Sequence, residues 1–250
     1  MVCKIQFYEK PVLNNPVLIE GLPGIGFVAN VTTLHLIKQL NAKLFAQVQS
    51  SSFQDLAMTT RNGKTYFPTN QFYYYKGKEG ERDLILLYGN TQALTTVGQY
   101  ELCGKILDIC QEFGCKYVLT VGGLKKDEAV ETPDIYCTAS DKETLQEVLD
   151  LGAKIMKGHI FGVAGLLVGL CKLRNFKGLS LLAETPGLYA DAVATREVLK
   201  MLNTLLNLKV NVDDLDAATE ETSEILESFG IVSPSSMEKK NREADYRWFI

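Results

Sequence analysis

Histidine is nearly missing from this chain, with two in 250 residues, and tryptophan occurs once. Two histidines cannot build a His-rich metal centre, and one tryptophan argues against the aromatic platforms on which nucleic-acid bases stack. Positive charge is short as well: 26 Lys and Arg stand against 30 Asp and Glu, for a net charge of −4. A protein held to nucleic acid by phosphate contacts needs a basic face, so that class is excluded. No apolar run approaches the ~20 residues of a membrane span. The longest, Ile160 to Cys171, is broken by three glycines. The six cysteines include no C-x-x-C pair, and Cys103, Cys110 and Cys115 match no zinc spacing; they read as buried thiols of a reducing cytoplasm. The opening Met-Val-Cys-Lys-Ile-Gln-Phe lacks signal-peptide anatomy. There is no G-x-S-x-G for an elbow nucleophile.

What is present is ordinary soluble composition, 46% apolar and 22% charged, enough to bury one large α/β core. Strand-like runs alternate with helix-like runs almost from end to end. Val17 to Glu20, Leu44 to Ser50, Asp83 to Tyr88, Tyr117 to Val121, Ile135 to Ala139 and Gly178 to Glu184 read as strands. Gly21-Leu-Pro-Gly24 stops the first and Gly122-Gly123 the fourth. Phe27 to Leu40, Val97 to Phe113, a helix capped by Asp141 and running to Leu149, Gly162 to Leu173, and Leu188 to Leu206 read as helices. Gly114 is the expected residue after the second. A last helix is capped by Asp213 or Asp214, presents Leu215, Ala218, Ile225, Leu226 and Phe229, and ends at Gly230. Between the second and third strands lies a β-rich insertion with Asn62-Gly63, a strong hairpin signal, and an aromatic strand at Phe72 to Lys76. The alternation predicts one α/β domain over residues 1–232, a mainly parallel sheet with helices on both faces.

Three features invite a chemical reading. Gly24-Ile-Gly-Phe-Val-Ala29 fits the dinucleotide fingerprint G-x-G-x-x-A, but the ribose-binding acid due ~20 residues on, at the end of the second strand, is missing. The plainer reading, a tight strand-to-helix turn, is preferred. Glu20 and Glu184 each end a strand and precede a Pro-Gly turn. On the rim where parallel sheets bind ligands, beside Asn90, Gln92, Gly122 and Gly123, they could serve as acid and base. The competing role is favoured: each pairs with the helix N-terminus that follows, worth ~0.3–1 kcal/mol. His35 reads as structural, and a Cys171–His159 pair is a remote alternative. Gly162, Gly165 and Gly169 put small residues on one helix face, for close packing against the sheet or a neighbouring subunit.

Residues 233–250 differ from the rest. Ser-Pro-Ser-Ser leads into seven charged residues, and the chain ends in Trp248-Phe249-Ile250. The composition predicts a solvated, mobile tail. Burying the three terminal side chains yields roughly 2–3 kcal/mol each. Ordering each residue costs ~1–2 kcal/mol. One tail therefore binds weakly, while several tails on one body gain through effective concentration. Docking back on the chain's own domain or on a sister subunit is the competing outcome.

In order and spacing, Leu18-Ile-Glu-Gly-Leu-Pro-Gly-Ile-Gly26, Gly89-Asn-Thr-Gln92, Thr120-Val-Gly-Gly-Leu124, Gly162-Val-Ala-Gly-Leu-Leu167, Leu181-Leu-Ala-Glu-Thr185 and the Asp213-to-Leu215 helix start resemble the archaeal proteasome assembly chaperone family, related to a eukaryotic proteasome assembly chaperone. The resemblance spans nearly all of residues 15–230. It implies a nucleoside-phosphorylase-like α/β fold without that chemistry, and homo-oligomers, including rings, that engage the α-subunits of the proteasome core particle. It also implies a C-terminal hydrophobic–tyrosine–any-residue tail that enters pockets between α-subunits. Trp248, Phe249 and Ile250 occupy those positions, with phenylalanine in place of tyrosine.

Two functions are thus expected. The first is a non-enzymatic, cytoplasmic assembly chaperone or core-particle-binding factor that binds partners through Trp248, Phe249 and Ile250, with no cofactor, nucleic acid or membrane. The second is a hydrolase or transferase acting on a small nucleotide-like or acidic ligand at the rim, with Glu20 and Glu184.

Overall fold

The computed structural model describes residues 3–59, 63–78 and 80–228. Its strands, in chain order, are β1 (Lys4–Phe7), β2 (Val17–Gly21), β3 (Lys43–Gln49), β4 (Met58–Thr59), β5 (Thr65–Tyr66), β6 (Asn70–Tyr75), β7 (Leu84–Gly89), β8 (Tyr117–Lys125), β9 (Ile135–Ala139), β10 (Lys154–Ile155) and β11 (Lys177–Thr185). The helices are α1 (Val28–Leu40), α2 (Thr96–Glu112), α3 (Lys142–Leu149), α4 (Gly162–Leu173), α5 (Ala192–Leu206) and α6 (Asp216–Ser228). A nine-stranded sheet has the order β1-β3-β6-β7-β2-β8-β11-β9-β10. Its centre, β7-β2-β8-β11, is parallel throughout. On one flank β9 runs against β11 and β10 runs parallel to β9; on the other, β6, β3 and β1 return as an antiparallel meander beside β7. The sheet is therefore mixed around a parallel core.

Strands at that core must be apolar on both faces, which is why Val17–Gly21 is buried along its whole length. Alternate side chains sort into two layers. Val17, Ile19, Leu119 and Leu181 face α1 and α5, packing on Leu36, Val198 and Leu202. Leu18, Val118, Ile85 and Leu87 face α2 and α4, packing on Leu102, Ile106, Leu167 and Cys171. Helix α6 lies on α1 through Ala218, which packs with Val31 and Leu34. Truncating a fully buried member of either layer to alanine costs ~2–5 kcal/mol.

Several boundaries differ from the sequence reading, each for a local reason. β8 does not stop at Gly122-Gly123 but runs on to Lys125, paired with β11 throughout. The glycines are there for close approach: a Cβ on Gly123 would lie 2.3 Å from the Ile25 carbonyl oxygen. α5 begins at Ala192 and not at Leu188, because Asp191 caps it by accepting from the Val193 and Ala194 N–H groups. α6 begins at Asp216, two residues past Asp214 and three past Asp213. The α4 face against the sheet carries Val163, Leu167 and Cys171, not the glycines. Gly165 abuts the Ile160 carbonyl, and nothing lies within 4 Å of a Cβ on Gly169.

Other expectations stand. Asp141 caps α3 through the Thr144 N–H, and Gly114 follows α2 in the left-handed region at φ +71°. In the insertion β4 pairs β5 antiparallel, and Gly63 has φ +77°; Asn62 lies outside the described residues. So do Phe229, Gly230 and the tail, including Trp248, Phe249 and Ile250.

Candidate functional site

The carboxyl ends of β2, β7, β8 and β11 form the rim at which a parallel sheet presents its loops. The two glutamates expected there do not meet. Glu20 is level with Thr120 of β8, which is level with Ser180 of β11. Glu184 lies four residues further along β11, so the two Cα positions are about 13 Å apart along the strands and about 10 Å across them. No single substrate atom could lie between them as between an acid and a base.

Their environments also differ. Glu20 is buried, its Oε1 accepts from the Leu22 N–H at 2.9 Å, and its Oε2 has no partner. Burial pushes its carboxyl up to about 8, only partly opposed by that one backbone bond. Glu184 is also buried, which works against its charge. The Lys126 ammonium 3.0 Å from Oε1 and the Asp134 N–H 3.3 Å from Oε2 outweigh that and hold it below the ordinary carboxylate range. Neither carboxylate caps a helix, so the expected pairing with helix N-termini is replaced by these contacts. Asp191 takes that place at α5. Its second oxygen accepts from the Thr185 hydroxyl at 2.6 Å.

The rest of the rim is stitched to itself. Gln92 donates to the Pro23 carbonyl at 2.6 Å and accepts from the Val163 N–H at 3.1 Å and from Gln99 at 3.1 Å. It thereby joins the β2–α1 turn to the starts of α2 and α4. Asn90 accepts from the Thr69 N–H at 2.9 Å. The Asp191 N–H reaches the Gly26 carbonyl at 2.9 Å. Gly26 has φ +63°, and a Cβ there would come 2.6 Å from the Thr185 hydroxyl. Gly26 therefore serves a tight turn packed against β11, in keeping with the plainer reading, whereas Gly24 is extended and meets nothing within 4 Å.

The remaining candidates are apart or inert. His159 is exposed and Cys171 buried, its thiol pushed up to about 12 by burial, so they form no pair. His35 is buried, and its Nε2 donates to the Asn211 carbonyl at 2.6 Å. All six cysteines are buried and unbridged. Among the described residues no group of His, Cys, Asp and Glu could hold a metal ion, and no helix is long and apolar enough to cross a membrane. A cleft of about 280 Å³ lies at the opposite, amino end of the strands, between Arg82, Lys116, Tyr117 and Lys177. Of its two lysines, Lys177 contacts Glu143 at 3.1 Å and Glu147 at 3.4 Å.

Besides the charged loop 125–132 that follows β8, the rim offers solvent several large apolar side chains. Ile25, Leu94, Val97, Phe161, Leu188 and Tyr189 are all exposed on the loops and first helical turns that follow the strands. Sequence reasoning passed over them because single apolar residues in loops break no periodic pattern. The available signal was position: each lies within a few residues after a strand or at a helix start, where polar caps are the usual choice.

The sequence profile of the PAC2 family matches residues 18–229. The chain is 30% identical over 217 residues to an uncharacterized protein of Methanocaldococcus jannaschii, MJ1210, covering 86% of this chain and 83% of that one. Among solved structures it is similar to Pyrococcus furiosus PbaB, described as an archaeal proteasome activator. The TM-score is 0.81 and the identity 35%, over 92% of this chain and 99% of that one. It is also similar to Pyrococcus furiosus PbaA, described as an archaeal homolog of proteasome-assembly chaperone, with TM-score 0.75 and 25% identity over 95% and 100% of the two chains.

Proposed function

We propose that this chain, which belongs to the PAC2 family, is a non-enzymatic proteasome assembly chaperone or core-particle-binding factor. It is a cytoplasmic homo-oligomer, a ring included, that docks on proteasome α-subunits through its C-terminal tails. The observation that carries this reading is the likeness to PbaB along nearly the whole of both chains at 35% identity. The geometry of the rim supports it from the other side. A body whose strand-end carboxylates are separated, one buried without a second partner and the other ion-paired, is built for shape and not for proton transfer.

In this mechanism the body presents several tails at once. Trp248 and Phe249 supply apolar contact, and the Ile250 carboxylate pairs with a lysine of the α-subunit. Each tail is weak on its own account, and the set is effective because the first engagement raises the local concentration of the others.

Deleting Trp248 to Ile250 tests it. The truncated protein should lose co-purification with α-subunits while keeping the thermal unfolding of the full chain. Undiminished co-purification would remove the tail from the mechanism.

A further inference from the structure

We infer that Cys110 and Cys115, at the carboxyl end of α2, form a dithiol site that a hydroperoxide oxidises to a disulfide across the helix end. The site is independent of the tail and of the rim.

The way α2 ends sets the two residues together. The Cys115 N–H donates to the Cys110 carbonyl at 2.8 Å and the Gly114 N–H to the Gln111 carbonyl at 3.3 Å, with Gly114 at φ +71°. These are the paired bonds that close a helix on a left-handed glycine, and they lay the first and last of the six residues side by side. A carbonyl oxygen lies about 2.4 Å from its own Cα and an amide nitrogen about 1.46 Å from its own, so the 2.8 Å bond leaves the two Cα atoms at most about 6.7 Å apart. That is inside the roughly 4.4–6.8 Å that a disulfide spans. α1, α3 and α4 end on the same bond, with Ile37 and Ala42, Val148 and Ala153, and Cys171 and Phe176 in those places. Of these four helices, α2 is the one that puts a thiol at both.

The two thiols touch and differ in acidity. They share a hydrogen bond, which holds Cys115 below the ordinary thiol range against its burial, while burial pushes Cys110 up. The Arg174 guanidinium, held by the Gly104 carbonyl and Asp108, brings positive charge to the same place. Cys115 is therefore the nucleophile and Cys110 the resolving thiol. Both are buried, yet Gln111, Glu112, Gly114 and Lys116 around them are exposed, so fraying of the last helical turn admits a small oxidant.

With hydrogen peroxide the Cys115 thiolate attacks one oxygen and the O–O bond breaks, giving a sulfenic acid and hydroxide. The hydroxide takes up the proton that Cys115 released and leaves as water. The Cys110 sulfur then displaces the sulfenic oxygen, which leaves as a second water with the Cys110 proton, and the S–S bond forms. Two thiols are oxidised by two electrons in all, and the peroxide is reduced to two waters. In a reducing cytoplasm the bridge is transient, because exchange with small thiols restores the pair.

The test treats the full chain with excess hydrogen peroxide under native conditions, then denatures it, blocks free thiols with iodoacetamide and digests with trypsin. Residues 106–116, which follow Lys105 and end in Lys116, form one tryptic peptide holding both cysteines. That peptide should be unblocked and about 2 Da lighter than its reduced form, while the cysteines outside it are blocked. Dithiothreitol should reverse the change, and Cys115→Ser should abolish it. The bridged wild type should unfold about 4–8 °C higher, as closing a short loop predicts for a chain of this size. Blocking of both thiols in 106–116, a link from either to Cys171, or sulfinic acid without a bridge would overturn the proposal. So would a bridge that forms only in urea, or one that leaves the unfolding temperature unchanged or lower. The wild-type masses decide on their own should Cys115→Ser fail to fold.

Discussion

Gln92 donates to the carbonyl oxygen of Pro23 across 2.6 Å and so ties the β7–α2 connection to the turn that follows β2. The same side chain accepts from the first turn of α4 and from Gln99. One amide thus sets the relative heights of three helix starts at the carboxyl edge. Gln92→Ala should destabilise the protein by ~1–3 kcal/mol, because it leaves a half-buried N–H and a carbonyl unpaired. Urea unfolding measures this. An unchanged midpoint would show that water replaces the side chain at no cost.

The rim glycines give a sign test. Gly123→Ala places a Cβ 2.3 Å from the Ile25 carbonyl oxygen, so backbone must move. The expected loss is ~2 kcal/mol or more. Gly169→Ala, inside α4 with nothing within 4 Å, should instead gain ~0.5–1 kcal/mol from helix propensity. Thermal unfolding of the two variants side by side checks both signs. Equal effects would contradict the close approach of β8 to the β2–α1 turn.

Glu20 predicts a pH dependence. Its carboxyl, ordinarily near 4.5, is raised to about 8 in the folded protein by burial. Between those values the folded state holds a proton that the unfolded state has released. Stability from this group is therefore complete below about 4.5, falls as pH rises, and levels off above about 8. The slope approaches ~1.4 kcal/mol per pH unit at its steepest. Glu20→Gln keeps an acceptor for the Leu22 N–H and cannot ionise. Denaturant midpoints from pH 5 to 8.5 should therefore show a shallower decline for Glu20→Gln, with the variant the more stable at the alkaline end. Parallel curves would contradict this.

Phe249 stands where the resembling family's tail pattern has tyrosine. If the α-subunit pocket holds a partner for that hydroxyl, Phe249 leaves it unpaired, at ~1–3 kcal/mol. Phe249→Tyr should then tighten binding to α-subunits by roughly 5- to 150-fold. Titration of the two tails as free peptides against α-subunits measures it. Equal affinities would mean that the pocket has no such group.

Much of this fold was legible because burial on both faces leaves a plain mark. The continuous apolar runs at Val17 to Glu20 and Asp83 to Tyr88 announced the parallel centre. Asp141 marked the start of α3 because its side chain has one obvious N–H to accept from. Pairing partners were not legible. Nothing in Ile135 to Ala139 states that this strand lies antiparallel to β11. Gly122-Gly123 looked like a stop because a glycine needed for close approach and one that ends a strand read the same. Asp191 was hidden as a cap behind the apolar stretch Leu188 to Ala190. The echo between Glu20 and Glu184 was real in sequence and misleading in space. Their strands start level, Val17 with Tyr117 and Lys177, but β11 runs four residues further, so Glu184 lies four positions past the level of Glu20, a relation carried by Thr120 and Ser180 and not by the glutamates themselves.

The central claim is multivalent docking of an aromatic chain end. Native mass spectrometry of the full chain mixed with proteasome α-subunits addresses it most directly, with Trp248→Ala as the comparison. The account predicts complexes in which several copies of this chain share one α-subunit assembly, and their disappearance when Trp248 is truncated while the chain's own multimer persists. Complexes of the same mass and abundance with Trp248→Ala, or none with the full chain, would contradict it.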